Sequence, residues 1–102
     1  MLDLVNARKA EIAALCRRFH VRRLELFGSA ASGDFDPTRS DIDFLVEFDS
    51  DPSALSLATY IGFKEALEAL LGRPVDLLEA NAVRNPYLLA SIVRTRERLY
   101  GT

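Results

Sequence analysis

Residues 27–48 read Phe27-Gly-Ser-Ala-Ala-Ser-Gly-Asp-Phe-Asp-Pro-Thr-Arg-Ser-Asp-Ile-Asp-Phe-Leu-Val-Glu-Phe48. A Gly-Ser turn leaves one apolar run, and an Asp-Ile-Asp pair enters the next. Asp41 and Asp43 stand where a strand normally holds apolar or β-branched residues, because Asp solvates its own backbone and favours turns. Two acids spaced by two point to the same side of a sheet. Folding alone has no use for that repulsion, whereas a divalent cation turns it into a binding site.

Outward from this segment the chain alternates helix and strand signals. Residues 3–19 carry Val5, Ile12, Leu15, Cys16 and Phe19 near helical spacing, which predicts one amphipathic helix. Residues 21–27 alternate as a strand, and Gly28 ends it. Ser29 suits the N-cap of a short helical turn over 30–32 that Gly33 closes. Residues 34–40 form a loop. From 41 to 48, Ile42, Phe44, Val46 and Phe48 make one face, with Asp41, Asp43, Leu45 and Glu47 on the other. Ser53 is a candidate cap for a helix running to about Leu71, stopped by Gly72 and Pro74. Val75 to Glu79 is a third strand. Asn85-Pro86 opens a last helix, with Leu88, Leu89, Ile92 and Val93 as its buried face. The order predicts a single α/β domain over residues 1–102: a small mixed three-stranded sheet flanked by about four helices.

Composition narrows the chemistry. A chain of 102 residues buries roughly two-thirds of its unfolded surface. A net charge of −2 leaves no polybasic footprint, so no direct nucleic-acid partner is expected. Cys16 is the only cysteine, which excludes an intrachain disulfide or a thiolate zinc site and reads as core packing. His20, the only histidine, reads as a junction residue, and no second His supports a Ser-His-Asp or zinc-hydrolase site. No apolar stretch is long enough to span a bilayer and no signal-peptide pattern is present, so the cytoplasm is the expected compartment.

The third strand adds Asp76, again an acid in an apolar run. If that strand lies beside 41–48, three carboxylates converge. Oxygen-only ligation suits magnesium, and three carboxylates suffice for two ions about 4 Å apart, the arrangement for in-line phosphoryl displacement. Gly28-Ser29 offers the complementary half: backbone N–H groups and the Ser29 hydroxyl for a phosphate. An EF-hand is excluded because its Gly and terminal Glu are missing after Asp41. A Walker A loop is absent because no Gly-Lys-Ser/Thr occurs.

Leu-Phe-Gly-Ser-x-x-x-Gly, then Ser-Asp-Ile-Asp-Phe-Leu-Val, then Val-Asp-Leu-Leu resembles the DNA polymerase beta-like nucleotidyltransferase superfamily. The length resembles its minimal nucleotidyltransferases, antitoxins paired with a HEPN-domain RNase toxin. The resemblance implies the polymerase beta-like fold and transfer of AMP from ATP to a hydroxyl, here a tyrosine of the toxin, with two magnesium ions. It implies Asp41, Asp43 and Asp76 as catalytic metal ligands and Gly28, Ser29, Gly33 and Ser40 as nucleotide-binding residues. Two other readings stay open: an antitoxin that acts by contact alone, and transfer to a small molecule. Oligomeric state is open as well.

One departure stands out. Many relatives read Gly-Ser-x-Ala-Arg-Gly, whereas here Ser32 occupies the Arg position. A lost guanidinium removes a charge-assisted contact worth roughly 1.5–3 kcal/mol. Arg39 reads either as its substitute or as a solvated loop residue. Arg94, Arg96 and Arg98 read as a solvated face or as a contact surface for an acidic partner.

Overall fold

The computed structural model describes residues 2–33, 41–49 and 56–101. The chain opens with a short helix, α1 (Asp3–Asn6), followed by α2 (Lys9–Arg18), β1 (Val21–Phe27), a single helical turn α3 (Ser29–Ser32) and β2 (Ile42–Phe48). Next come α4 (Leu57–Leu71), β3 (Val75–Glu79), a 3-10 turn (Ala80–Ala82), α5 (Pro86–Thr95) and β4 (Glu97–Tyr100). Four strands form one sheet in the order β3-β2-β1-β4. β1 runs antiparallel to both β2 and β4, while β2 and β3 are parallel. The parallel pair needs a crossover, and α4 supplies it.

Alternation sorts the sheet into two faces. Leu24, Leu26, Ile42, Phe44, Val46 and Leu77 point to one side and are buried with Ile12, Cys16, Phe63 and Leu67 of α2 and α4. That layer is the main core, and Cys16 is packed in it as expected, its thiol pushed up to about 12 by burial. On the other side, Phe27 and Leu45 pack with Ile92 of α5 in a smaller cluster. The acids of β2 and β3 project on this second, thinly covered face.

Several expectations change. The predicted helix 3–19 is two helices, because Arg8 leaves helical geometry at φ −112° and ψ 16°; the apolar stripe still continues through buried Val5, Ile12 and Cys16. His20 ends α2 in the left-handed region and is exposed, as befits a junction. The N-cap of α4 is Ser56, whose hydroxyl accepts the Thr59 N–H at 3.0 Å; the predicted cap Ser53 lies outside the described residues. Asn85 caps α5 as expected, its side chain accepting from the Tyr87 and Leu88 N–H groups. Only Ile92 of the predicted α5 face is fully buried; Leu88 is half-buried, and Leu89 and Val93 are exposed. The second face of the sheet is narrow, so one helix stripe covers it.

Among the described residues the sheet has four strands rather than three, and the helices number five rather than about four. The reason for β4 lies in β1. Glu25 is 3% exposed, and a buried carboxylate needs a partner. Arg96, just before β4, donates from Nε at 2.8 Å and Nη2 at 2.5 Å to the two Glu25 oxygens. The strand that follows sets Arg98 opposite Glu25 and packs Leu99 and Tyr100 against the main core. Arg23 adds a bond to Glu47 at 2.8 Å. Among the described residues no helix is long and apolar enough to cross a membrane.

The Arg96 hydrogen bond, reinforced by the Arg96, Arg23 and Arg98 charges, holds Glu25 below the usual carboxylate range against the opposing effect of burial. A depressed folded value stabilises the fold above the unfolded carboxylate value, and that stability is lost as pH falls through the folded one. Glu25→Gln is therefore expected to cost about 1–3 kcal/mol at pH 7, the partial exposure of Arg96 keeping it below a fully buried pair. Urea unfolding at pH 7 and at pH 3 checks this. The gap between wild type and variant closes at the lower pH; a gap that stays constant counts against the ion pair as its source.

Candidate active site

The register of the sheet builds the site. Asp43, the second residue of β2, has Phe27 of β1 as its partner on one side and Asp76 of β3 on the other. Paired residues in neighbouring strands share a face, so the Asp43 and Asp76 side chains rise together. Asp41, two residues before Asp43 and just outside β2, lies on that face too. The start of β3 is fixed from two directions. Ile42 N–H donates to the Pro74 carbonyl, and Val75 N–H donates to the Glu68 carboxylate, both at 3.1 Å. The Tyr60 hydroxyl of α4 donates to the Leu77 carbonyl. Asp76 is thus held in register by a helix the sequence reading treated only as core.

The electrostatics match the geometry. Burial first, then the Asp76 and Asp41 carboxylates, push the Asp43 carboxyl up to about 6. Asp43 is half-buried, whereas Asp41 and Asp76 are exposed. The donor set is hard oxygen only, which fits magnesium rather than a softer metal. Among the described residues, however, no three ligand-type side chains already close on one point as a coordination cage. The structure brings the three predicted acids to one end of one face as charged neighbours.

Gly28 joins this cluster to the turn. It sits at φ 71° and ψ −148°, and a Cβ placed there would stand 2.5 Å from Asp43 Oδ2. Only a residue without a side chain fits between β1 and that carboxylate. The cap of α3 is Gly28, not Ser29 as predicted, and Ser29 is its first helical residue. Gly33 closes the turn as expected, at φ 92°. The first hydrogen bonds of the turn run from the Ala31 and Ser32 N–H groups to the Gly28 carbonyl, so the Ser29 and Ala30 amides precede them, as the first amides of any helix do. Ser40 and Arg39 lie outside the described residues.

Residues 10–99 match the family described as nucleotidyltransferase domain. The chain belongs to that family. This nucleotidyltransferase is 40% identical over 75 residues to MJ1379 of Methanocaldococcus jannaschii, a candidate protein adenylyltransferase, covering 74% of the present chain and 73% of the relative. It is 38% identical over 83 residues to protein adenylyltransferase MntA of Thermococcus cleftensis, covering 81% and 77%. Among solved structures, a candidate minimal nucleotidyltransferase superposes with a TM-score of 0.76 at 32% identity, covering 95% of both chains. A toxin-antitoxin structure with AMP-PNP superposes with a TM-score of 0.72 at 26% identity, covering 92% of this chain and 73% of that one.

Part of the nucleotidyltransferase's site was not anticipated. The Gly28 N–H, expected to be free for a phosphate, donates to Thr95 Oγ1 of α5 at 2.8 Å. The Thr95 hydroxyl in turn donates to the Ser91 carbonyl at 2.7 Å. The last turn of α5 is thereby pinned against the Gly-Ser turn. Between them opens a cavity of about 240 Å³ lined by Gly28, Ser29, Ser32, Ser91, Arg94 and Thr95. Sixty-seven residues separate Gly28 from Thr95, and no local signal announces the pairing. A larger groove, about 630 Å³, opens at the opposite end of the strands beside His20, Asp49 and Tyr100; it holds none of the three acids.

Proposed function

We propose that this nucleotidyltransferase is a cytoplasmic antitoxin that moves AMP from ATP to a hydroxyl of its toxin, a tyrosine of a HEPN RNase, and so silences it. The observation that carries the reading is the Asp43–Asp76 register with Asp41 beside it, set against the Gly28-Ser29 turn. The adenylyltransferase name of the Thermococcus relative and the AMP-PNP complex of a structural neighbour support ATP as donor. In this reading Asp41, Asp43 and Asp76 hold two magnesium ions, which when bound offset triphosphate charge and acidify the attacking hydroxyl. Asp76, exposed beside half-buried Asp43, accepts the hydroxyl proton as its oxygen attacks the α-phosphorus and pyrophosphate leaves. Ser29 and Gly33 shape the turn that faces the phosphate tail, and Ser40 belongs to the same nucleotide-binding set.

Incubating the chain with its toxin, α-labelled ATP and magnesium tests this. Label is expected on the toxin with wild type and not with Asp76→Asn; labelling that persists without all three acids would remove them from the chemistry. The contact-only reading draws on Ser32, which leaves the turn without a cation. It predicts that a folded triple Asn variant at positions 41, 43 and 76 still neutralises the toxin, whereas the transfer reading predicts that neutralisation is lost.

A further inference from the structure

The cavity between α3 and α5 is lined by Gly28, by four hydroxyl-bearing residues, Ser29, Ser32, Ser91 and Thr95, and by a single charged side chain, that of Arg94. The three arginines near the end of the chain have separate surroundings. Arg96 is bound to Glu25 through two hydrogen bonds. Arg98 lies on β4 opposite Glu25. Arg94, in the last turn of α5, has no ion pair or hydrogen bond from its side chain among the described residues and faces the cavity instead. It is exposed, so its guanidinium keeps its five donors and its charge available.

A phosphate tail lying along the Gly-Ser turn meets two opposing fields. The acids at Asp41, Asp43 and Asp76 repel it, and the turn itself brings only partial positive charge from its first amides. The Gly28 amide is already committed to Thr95. A full positive charge on the far wall supplies the missing attraction. Thr95 makes that wall rigid: its hydroxyl joins Gly28 to the Ser91 carbonyl, one helical turn of α5 with Arg94 directly beside it. We infer that Arg94 is a nucleotide-binding residue that grips the β- and γ-phosphates from α5, across the cavity from Ser29 and Ser32. The inference rests on the nucleotide-transfer reading above and assigns the cation of that same site.

An arginine in the last turn of a helix also interacts favourably with the helix dipole, so the test separates binding from stability. Isothermal titration of the full chain with ATP and with AMP, each with magnesium, is done for wild type, Arg94→Ala, Arg94→Lys and Arg98→Ala, alongside thermal unfolding without ligand. Arg94→Ala is expected to weaken ATP binding about 10- to 100-fold, the range of a lost charge-assisted bidentate contact, and to leave AMP binding unchanged. Arg94→Lys restores part of the ATP affinity, because it keeps the charge without the planar fork. Arg98→Ala, which changes the net charge equally, binds as wild type. Two results overturn the inference alone: Arg94→Ala binding ATP as wild type does, or losing ATP and AMP affinity by the same factor. Wild type that binds no ATP removes the nucleotide-transfer reading, and the inference with it.

Discussion

Replacing Asp43 with Asn is expected to abolish AMP transfer and, in the same protein freed of metal, to raise the melting temperature. The two effects have one cause. Asp43 is pressed between Phe27 and Asp76 in the sheet, and burial, Asp76 and Asp41 together push its carboxyl up to about 6 from 3.8. A raised folded value means that the neutral carboxyl is favoured in the fold. The associated stability is fully present below the unfolded value and is lost as pH rises through about 6. At pH 7.5 the ionised group therefore weighs against folding. A two-unit shift corresponds to about 3 kcal/mol, and half-exposure reduces the share expected in practice to about 1–2 kcal/mol. Asn keeps the shape and removes the charge, which for a domain of this size gains roughly 4–8 °C per kcal/mol. On the transfer reading proposed above, in which Asp43 would hold magnesium, its loss costs several kcal/mol of transition-state stabilisation, at least about a thousandfold in rate. Thermal scans in chelator at pH 7.5 and pH 3.5, with a transfer assay at pH 7.5, read both. The variant should be the more stable at pH 7.5 and equal to wild type at pH 3.5. A variant less stable than wild type at pH 7.5 would show that the acid is there for the fold. Glu25 acts in the opposite sense over the acid range, so Asp43 is visible only in the difference between variant and wild type, not in the pH profile of either.

That carboxylate was legible in the sequence because it violates a strong local pattern. Asp43 and Asp76 interrupt runs whose alternate residues serve the core, Asp41 stands just before the first of these runs, and the parallel register of β2 and β3 aligns them. The turn was legible for the same reason: Gly28 and Gly33 bracket four small residues between two strands. What stayed hidden depends on partners far along the chain. β4 is only Glu97-Arg98-Leu99-Tyr100, preceded by polar Arg94-Thr95-Arg96, and two apolar residues are too short a signal to mark a strand. Its existence follows from Glu25, whose burial draws in Arg96 from 71 residues away. Glu25 itself looked like the polar step of an alternating strand, and only the cover provided by α5 and β4 makes it an interior residue. Thr95 is a similar case. It stands one residue from two arginines and reads as part of a solvated run until the sheet brings Gly28 to it. The helix break at Arg8 carries neither Gly nor Pro, and the continuous apolar stripe across it points to one helix where the structure has two. Local chemistry thus revealed the acids and the turn, while the place of Arg94 and Thr95 on the cavity beside them came from tertiary contacts.

Gly28→Ala is expected to damage both folding and binding, and the neighbouring glycine supplies the comparison that says why. At φ 71° and ψ −148° the backbone of residue 28 lies where side chains are strained, at a cost of order 1–3 kcal/mol. The added methyl meets Asp43 Oδ2 at 2.5 Å, closer than real contacts allow. One of two things must then move. If the Asp43 side chain swings away, it leaves the face it shares with Asp76, and the acid pair is lost as a unit. If residue 28 withdraws, its N–H leaves Thr95 Oγ1, costing about 1 kcal/mol for a partly buried hydrogen bond and opening the cavity wall. The combined loss is expected near 3–5 kcal/mol, in the range reserved for strained or clashing sites. Gly33→Ala has a comparable positive φ of 92°, with nothing within 4 Å of its new methyl. It should show the strain alone, about 1–2 kcal/mol. The double variant Gly28→Ala with Asp43→Ala removes the obstructing carboxylate, so Gly28→Ala should cost less in that background, the shortfall measuring the clash. Urea unfolding of wild type, the single variants Gly28→Ala, Gly33→Ala and Asp43→Ala, and the double variant at one pH gives all three differences. Equal costs for Gly28→Ala in the two backgrounds would mean that the turn does not press on Asp43, and that the glycine is there for the backbone rather than for the acid beside it.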